Sequence, residues 1–303
     1  MIEVQNVTKS FESIRAVDAI SFSVRPGEIF GLIGPNGAGK STTIRMIINI
    51  IAPDSGTITF NGKPLSEPDK NLIGYLPEER GLYKKMKVKD LLLFLAEIKE
   101  ADRKLTEERI ESWLRRFDLE EWKNRKIEEL SKGMAQKVQF IGTIIHDPPV
   151  LLFDEPFSGL DPISQNLLLE IFLELKNAGK TIIFSTHIMD HAERICERIL
   201  LINKGKSVLS GSLSDIKSRF GTNTVQIEFD GDGSFIEKLP YVKRARTFPR
   251  WTEAELSGTD AAELLYRDLA GKVRVRRFQL IEPSLHSIFV QLVGNTYEEA
   301  ANA

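Results

Sequence analysis

The sequence predicts an α/β protein in which a mainly parallel sheet is covered by helices on both faces, followed by a smaller α+β domain. Short apolar segments that are typical of buried strands alternate with helical stretches, as expected for parallel strands joined by crossover helices. The clearest of these strands are residues 29–33, 150–153 and 181–184. A glycine-rich segment, residues 34–42, connects the first of them to a helical stretch.

The remaining elements of the first 220 residues follow from alternation, apolar runs and capping signals. Further strands are predicted at residues 2–7, 20–24, 57–60 and 72–76. Turn residues on both sides of 57–60 indicate an antiparallel hairpin. Helical periodicity from about residue 88 to 145 predicts a helical subdomain. Asp161 followed by Pro162 predicts the N-cap and first residue of a helix that ends near residue 175.

A second domain is predicted from residue 221 to residue 303, after a small and polar stretch at residues 211–223. Its predicted elements are strand 225–229, helix 233–239, strands 242–248 and 251–257, helix 260–270, strand 272–280 and helix 284–293. This βαββαβ order with a closing helix predicts a ferredoxin-like α+β domain.

Composition and charge restrict the class of protein. The 303 residues carry a formal net charge of −2, which gives no general reason to expect nucleic acid or an anionic membrane as a partner. The one cysteine, Cys196, excludes an internal disulfide and suits a reducing compartment. The sequence starts with strand-like alternation rather than a signal peptide, and its longest apolar run, residues 91–96, is too short to span a bilayer. We therefore expect a cytoplasmic protein that reaches a membrane through a partner.

The glycine-rich segment fills every fixed position of the phosphate-binding pattern G-x-x-x-x-G-K-[ST]. Its residues are Gly34, Pro35, Asn36, Gly37, Ala38, Gly39, Lys40, Ser41 and Thr42. The glycines let backbone N–H groups surround a polyphosphate, and the following helix N-terminus adds partial positive charge. Lys40 is expected to reach the β and γ phosphates, and the Ser41 hydroxyl to bind Mg²⁺. The segment predicts a site for a nucleoside triphosphate, against the alternative of a plain glycine turn before a helix.

Acidic and polar side chains follow other buried strands. Asp154 and Glu155 come directly after the strand at 150–153, Glu78 follows the strand at 72–76, and His187 follows the strand at 181–184. Ligands of parallel sheets bind at the carboxyl ends of the strands, so these residues should converge on the phosphate loop. Asp154 is expected to hold Mg²⁺ opposite Ser41, and Glu155 to orient or deprotonate the attacking water. The alternative for the two carboxylates is that they cap the following loop.

A further segment, Leu130-Ser131-Lys132-Gly133-Met134, precedes a helical stretch between these two nucleotide motifs. A serine that caps a helix is commonplace, and only the position of this segment makes it informative. With these motifs in this order, residues 1 to about 220 resemble the ATP-binding subunit of an ATP-binding cassette (ABC) transporter. The resemblance implies a P-loop ATPase core with a helical subdomain and an antiparallel β subdomain.

The resemblance also implies roles for individual residues. Phe11 corresponds to the aromatic residue that stacks on adenine. Ser131 and Gly133 match the signature motif, which binds the γ-phosphate of ATP held by the opposite subunit. Residues 158–161, which end at Asp161, match the loop that crosses the dimer interface, and His187 matches the switch histidine near the γ-phosphate.

Three residues depart from the family pattern. Glu78 stands where the family usually has glutamine in the loop that links catalysis to the membrane subunit, so its carboxylate either binds Mg²⁺ more strongly or repels the γ-phosphate. Lys132 replaces one glycine of the signature, and Met134 replaces its glutamine. These departures, with residues 77–83 and 282–289, resemble the branch of sodium-efflux and drug-efflux ATPases that serve two-component (ABC-2 type) exporters.

The predicted function is an ATPase that dimerises around ATP, as a homodimer or with a paralogue, and powers a separate membrane permease that exports sodium, drugs or similar solutes. Its expected place is the cytoplasmic face of the cell membrane. Lys40, Glu155 and His187 are the expected catalytic residues, and Ser41, Asp154 and Glu78 the expected Mg²⁺ ligands. The alternatives are an ATP-gated module that acts on a soluble macromolecule and a small-molecule kinase.

Two other patterns have simpler explanations. His187 and His191 have a spacing that can hold a metal on a helix, but no third ligand is nearby in the sequence. Arginines and aromatic residues in the second domain could suit single-stranded RNA, although alternation with valine at 273–276 fits an ordinary solvated strand face. No nucleic acid partner is expected.

Overall fold

The structure is a computed structural model that describes residues 1–79, 81–220, 223–258 and 260–301, with the backbone alone for 294–301. Residues 221 and 222, where the predicted second domain begins, and Arg80 of the 77–83 segment lie outside the described residues. The chain divides into two compact units, Met1–Gly211 and Ser212–Ala303. The division falls before the predicted boundary at residue 220, because the stretch that we expected to be a small, polar connection contains a helix of the second unit.

The first unit combines two sheets with helices. Its elements are β1 (Ile2–Phe11), β2 (Ile14–Val24), β3 (Ile29–Ile33), α1 (Lys40–Ile47), β4 (Ser55–Phe60), β5 (Ile73–Leu76), α2 (Val88–Ile98), α3 (Arg103–Arg116), α4 (Lys132–Ile144), β6 (Val150–Asp154), α5 (Pro162–Asn177), β7 (Thr181–Thr186), α6 (Met189–Ile195), β8 (Arg198–Asn203) and β9 (Lys206–Ser212).

The main sheet has six strands in the order β5-β6-β7-β3-β8-β9. Strands β5, β6, β7, β3 and β8 pair in parallel, which places their carboxyl ends along one edge. Every residue of β3, β6 and β7 is buried, as near-continuous apolar runs between two helical layers require. The predicted α/β fold class is confirmed, and the three strands that precede the predicted site residues are neighbours.

The second sheet of this unit is antiparallel, in the order β2-β1-β4. Strands β1 and β2 extend beyond the predicted strands 2–7 and 20–24 and meet at a turn over residues 12–13. Three register shifts in the pairing, with left-handed backbone at Asn6 and Ala19, break the alternation that the prediction relied on. The strand β4 is antiparallel as expected, but its partner strand is the distant β1. The predicted turn at Asn61-Gly62 forms only one antiparallel bridge, between Phe60 and Lys63, rather than a hairpin of two strands.

The helical subdomain is confirmed as α2, α3 and α4. Its attachment to the sheet is aromatic: Phe140 of α4 stacks on Phe153 of β6 with ring centroids 5.2 Å apart, and Phe117 after α3 meets Phe140 edge-on at 5.8 Å. The Phe172 ring, from α5, also stacks on the Phe153 ring, with centroids 4.8 Å apart. These buried rings fix α4, and with it the segment that begins at Ser131, against the strand that ends at Asp154.

The sequence-based prediction assigned no element between residues 187 and 225, and this was wrong. The structure has α6, β8 and β9 there in the first unit, and β8 pairs in parallel with β3. The apolar run at 199–202 carried a buried-strand signal that the prediction did not use. The seven-residue helix α6 is too short to show a clear periodicity.

The second unit is an antiparallel sheet with helices. Its elements are α7 (Leu213–Arg219), β10 (Thr224–Asp230), β11 (Val242–Phe248), β12 (Trp251–Leu256), α8 (Ala261–Leu269), β13 (Arg274–Ile281) and α9 (Leu285–Ala301). The strand order is β11-β12-β10-β13. Strand β10, the first of the unit, therefore lies in the interior, between β12 and β13. This is the arrangement that a ferredoxin-like βαββαβ order produces.

The predicted helix at residues 233–239 is wrong. The described residues show one turn of 3₁₀ helix there, Ile236–Lys238. The segment begins with Gly231-Asp232-Gly233, in which the Asp232 carboxylate accepts a hydrogen bond from Ser234 N, and it ends at Pro240. These residues leave room for a turn only.

Among the described residues, none of the helices combines the length and the apolar character that crossing a bilayer requires.

Candidate functional site

The phosphate loop joins β3 to α1 and depends on glycine. Gly39 has φ +106°, and a Cβ at this position would lie 2.3 Å from the carbonyl oxygen of Ala16. A Cβ at Gly34 would lie 2.1 Å from the carbonyl oxygen of Ile202. Both glycines are therefore required for the loop to pass close to β2 and β8. No side chain of the described residues caps the N-terminus of α1, so its first backbone N–H groups face the loop.

Lys40 lies at the centre of this loop and is only 5% exposed. Its ammonium donates to the carbonyl oxygens of Gly34 at 2.8 Å and Pro35 at 3.1 Å. It also pairs with Glu155, with 3.2 Å between Nζ and Oε1. The lysine and the predicted catalytic carboxylate thus neutralise each other inside the site.

Asp154, at the end of β6, is fully buried and held by two hydroxyl groups. Its Oδ1 accepts from Ser185 Oγ at 2.6 Å and from Ser41 Oγ at 3.0 Å. Burial raises the pKa of Asp154, while these two hydrogen bonds act in the opposite direction. Ser185 is a site residue that sequence reasoning missed. Its signal lies in the parallel register, which places Ser185 of β7 directly beside Asp154.

Glu155 has left-handed backbone, with φ +49°, and its N–H donates to Ser185 Oγ at 2.9 Å. This conformation is uncommon for a residue other than glycine and turns the side chain toward the phosphate loop. Its Oε2 lies 2.9 Å from His187 Nδ1, and the His187 side chain is 45% exposed. The strand ends of β3, β6 and β7 thus bring Lys40, Glu155 and His187 together, as the sequence predicts.

A cavity of about 280 Å³ opens above the phosphate loop. Glu78, which follows β5, reaches it from the side, and its Oε2 lies 3.5 Å from Ser41 Oγ. The cavity is lined by Ala16, Asn36, Gly37, Ala38, Gly39, Lys40, Ser41, Thr42, Glu78 and Glu155. Ala16 is the one of these that sequence reasoning did not select.

The residues predicted to bind Mg²⁺ fit a hard divalent cation. Ser41, Asp154 and Glu78 offer only oxygen atoms, which are the ligands that Mg²⁺ prefers. The Oδ2 atom of Asp154 is buried without a hydrogen-bond partner among the described residues, as expected for a carboxylate that serves an ion. The described part of the chain holds no group of three or more His, Cys, Asp and Glu residues arranged for a metal, so a cation here relies on the hydroxyl and on further ligands from the nucleotide or water. His191, considered as a metal ligand with His187, packs its ring against Phe157 at 4.3 Å.

Other predicted residues do not line this cavity in the described part of the chain. Ser131 caps α4, accepting from Met134 N at 3.3 Å, and Asp161 caps α5, accepting from Ser164 N at 3.0 Å. Gly133 lies beside the loop before Asp161, because a Cβ on it would be 3.3 Å from the Gly159 carbonyl oxygen. The signature segment and the 158–161 loop thus form a second surface of the same unit.

Phe11, the predicted adenine-stacking residue, ends β1 and is 45% exposed. Lys9 lies over its ring, 5.7 Å from the centroid. The ring is not part of the cavity wall, so its role remains a prediction.

The neighbouring ends of these parallel strands carry a glycine loop with lysine, a buried aspartate and a glutamate. This combination defines a P-loop nucleoside triphosphatase. Two family models match the chain: one described as ABC transporter covers residues 17–158, and one described as ATP-binding protein DrrA1-3-like, C-terminal domain, covers residues 211–293. The chain belongs to the ABC transporter family, as an ATP-binding, ATPase subunit with this C-terminal domain.

Relatives match over nearly the whole chain. The ABC transporter ATP-binding protein YhaQ of Bacillus subtilis is 42% identical over 98% of this chain and 100% of its own length. The Nod factor export ATP-binding protein I of Rhizobium etli is 34% identical, covering 98% of this chain and 95% of its own. The linearmycin resistance ATP-binding protein LnrL of Bacillus subtilis is 32% identical, covering 99% of this chain and 100% of its own length. A solved ATP-binding subunit of an ABC transporter superposes with a TM-score of 0.67 at 36% identity, over 73% of this chain and 93% of the other.

Proposed function

We propose that this ATPase subunit dimerises around two ATP molecules at the cytoplasmic face of the cell membrane and powers a separate permease that exports its substrate. The observation that carries the proposal is the division of the predicted nucleotide residues between two surfaces of the first unit. Lys40, Ser41 and Glu155 line the cavity and His187 contacts Glu155, whereas Ser131 and Asp161 lie on the second surface. A complete site therefore needs the second surface of another copy, most simply in a two-fold dimer.

Hydrolysis in this site rests on placement and electrostatics. Lys40 and the N-terminus of α1 stabilise the negative charge that builds on the β–γ bridging oxygen as that bond to the γ-phosphorus breaks. Glu155 orients the attacking water and accepts its proton, and His187 holds Glu155 on one side and faces the γ-phosphate on the other. Ser41, Asp154 and Glu78 would hold Mg²⁺, which would neutralise phosphate charge. Phe11 stacks on the base and sets nucleotide affinity.

A groove between the sheet and the helical subdomain is the proposed contact with the permease. It is a cavity of about 230 Å³, lined on one side by Pro77, Gly81 and Leu82, which follow β5, and on the other by helices α2 and α4. Ile98 at its rim is 55% exposed, and Gln139 Oε1 is buried there without a hydrogen-bond partner among the described residues. A short permease helix with an apolar face and a donor for Gln139 would fill this groove. Because Glu78 lies in the same connection as Pro77, such a contact would reach the phosphate site directly.

Export, rather than import, is supported by the relatives that are named for Nod factor export and for linearmycin resistance. The transported substrate of this chain is proposed to be a drug-like solute or sodium. Substrate choice would lie in the permease.

The test is co-purification of the full chain from its native membranes in mild detergent, with groove and control variants. The expected result is a stoichiometric polytopic membrane protein with the wild type. Ile98→Asp should lose it, and Leu105→Asp, which changes a residue that is 52% exposed and lies outside the groove, should retain it. Recovery of the wild type with ribosomes or nucleic acid and without a membrane protein would contradict the proposal.

A further inference from the structure

The Ser41 hydroxyl is flanked by two carboxylates that come from two different strands. Its Oγ is 3.0 Å from Asp154 Oδ1 and 3.5 Å from Glu78 Oε2. Two oxygen atoms that occupy adjacent positions on an octahedral cation with metal–oxygen bonds of roughly 2.1 Å lie about 3 Å apart. Ser41 Oγ and Asp154 Oδ1 are thus already spaced as neighbouring ligands of one small cation, and Glu78 Oε2 lies next to Ser41 on the other side.

No cation of the described residues forms an ion pair with the Asp154 or Glu78 carboxylate. Lys40 is paired with Glu155, and its other two contacts are neutral carbonyl oxygens, so it does not compensate Asp154 or Glu78. Arg45 is near enough to Asp154 for a charge interaction, but its guanidinium is hydrogen-bonded to Tyr75 and forms no ion pair with Asp154 among the described residues. In the part of the chain that the structure describes, two carboxylates therefore face one hydroxyl without a directly paired cation.

Asp154 adds an independent sign of a missing partner. Its side chain is fully buried, and its Oδ2 has no hydrogen-bond donor among the described residues although its Oδ1 has two. A buried, unpartnered carboxylate oxygen is unfavourable unless a cation or water completes it.

From these observations we propose that Glu78 makes this site bind one divalent cation before, and independently of, the nucleotide. With the neutral amide that the family usually has at this position, the site would have one carboxylate fewer and would need the phosphates to complete it. In this chain the metal-loaded site is the form that accepts ATP, and nucleotide without metal is repelled by Glu78 and Asp154. This inference rests on the proposed ATP site and concerns its metal requirement.

The test is a titration of the nucleotide-free full chain with Mn²⁺, read by the loss of the free-ion electron paramagnetic resonance signal and by calorimetry. The wild type should bind one Mn²⁺ that excess Mg²⁺ displaces. Glu78→Gln should weaken this binding by at least about tenfold, because one of two anionic ligands is lost. Glu79→Gln, the same change at the adjacent exposed residue, should bind Mn²⁺ as the wild type does.

A second titration uses ATP with and without Mg²⁺. The difference in Kd between the two conditions should be larger for the wild type and Glu79→Gln than for Glu78→Gln. Equal Mn²⁺ binding by wild type and Glu78→Gln, or no nucleotide-free binding by the wild type while Mg-ATP is still hydrolysed, would overturn this inference alone. A chain that binds neither Mn²⁺ nor Mg-ATP would overturn the proposed function as well.

Discussion

Ser185→Ala tests how the site is held together, because Ser185 connects the Asp154 carboxylate to the backbone N–H of Glu155 and does not line the cavity. Its hydroxyl donates to Asp154 Oδ1 at 2.6 Å and accepts from Glu155 N at 2.9 Å, and the residue is fully buried. Alanine removes the single oxygen atom that makes both contacts and leaves the backbone of β7 intact.

The expected loss follows from those two contacts. A hydrogen bond to a carboxylate contributes about 1.5–3 kcal/mol, and an N–H left buried without an acceptor costs about 1–3 kcal/mol. Because Asp154 can take up a proton, part of the first loss is avoided at low pH. We expect a decrease in the free energy of unfolding of about 3 kcal/mol at pH 8.

The sign of the pH dependence follows from Asp154. Its pKa is already raised by burial, and removal of the Ser185 hydrogen bond raises it further. A folded-state pKa above the unfolded value means that the folded state binds more protons, so stability falls as pH rises from the unfolded pKa through the folded one. The loss caused by Ser185→Ala should therefore be larger at pH 8 than at pH 4.

Urea denaturation at both pH values measures this loss, with Ser207→Ala as the control. Ser207 is exposed on β9, and its replacement should change stability by no more than about 0.5 kcal/mol. A Ser185→Ala variant with wild-type stability at pH 8 and a wild-type rate of ATP hydrolysis would refute the reasoning.

Three further predictions concern single residues of the site. Asp154→Asn removes a buried carboxylate whose pKa is raised. It should therefore increase the free energy of unfolding at pH 8 and give no gain at pH 3, as urea titrations can measure. It should also abolish ATP hydrolysis in a phosphate-release assay. Gly39→Ala places a Cβ against the Ala16 carbonyl oxygen at positive φ, and calorimetry should show a loss of at least about 2 kcal/mol in stability and no nucleotide binding. Phe11→Ala should raise the Kd for ATP by about five- to tenfold with no change for inorganic triphosphate and no loss of stability, since the ring is exposed. A folded Phe11→Ala protein with unchanged ATP affinity would remove this residue from the base site.

The sequence was sufficient for the parts of the site that short motifs encode. The glycine loop, which a strand precedes and a helix follows, can take only one backbone path. At Gly39, for example, a Cβ would meet the carbonyl oxygen of Ala16. Because parallel strands end at one edge, the positions of Asp154, Glu155 and His187 after buried strands also predicted their convergence.

Most of the predictions that failed concern features that depend on pairing between distant segments. Ser185 could not be selected without the register that sets it beside Asp154, and the bulged pairing of β1 with β2 hid their true length. The expected helix at 233–239 failed for a local reason, since Gly233 and Pro240 leave only one turn between them. The short elements α6 and α7 carried too little periodicity to be found.

The most direct measurement of the central claim is the solution mass of Glu155→Gln in the presence of Mg-ATP, by light scattering after size-exclusion chromatography. The variant should bind ATP, hydrolyse it orders of magnitude more slowly than the wild type, and elute at twice the 34.2 kDa chain mass. Adding Ser131→Arg to the same chain should block the contact with the partner's phosphate and restore the monomer. A Glu155→Gln protein that stays monomeric with saturating Mg-ATP, or that turns over at the wild-type rate, would contradict the composite site on which the account depends.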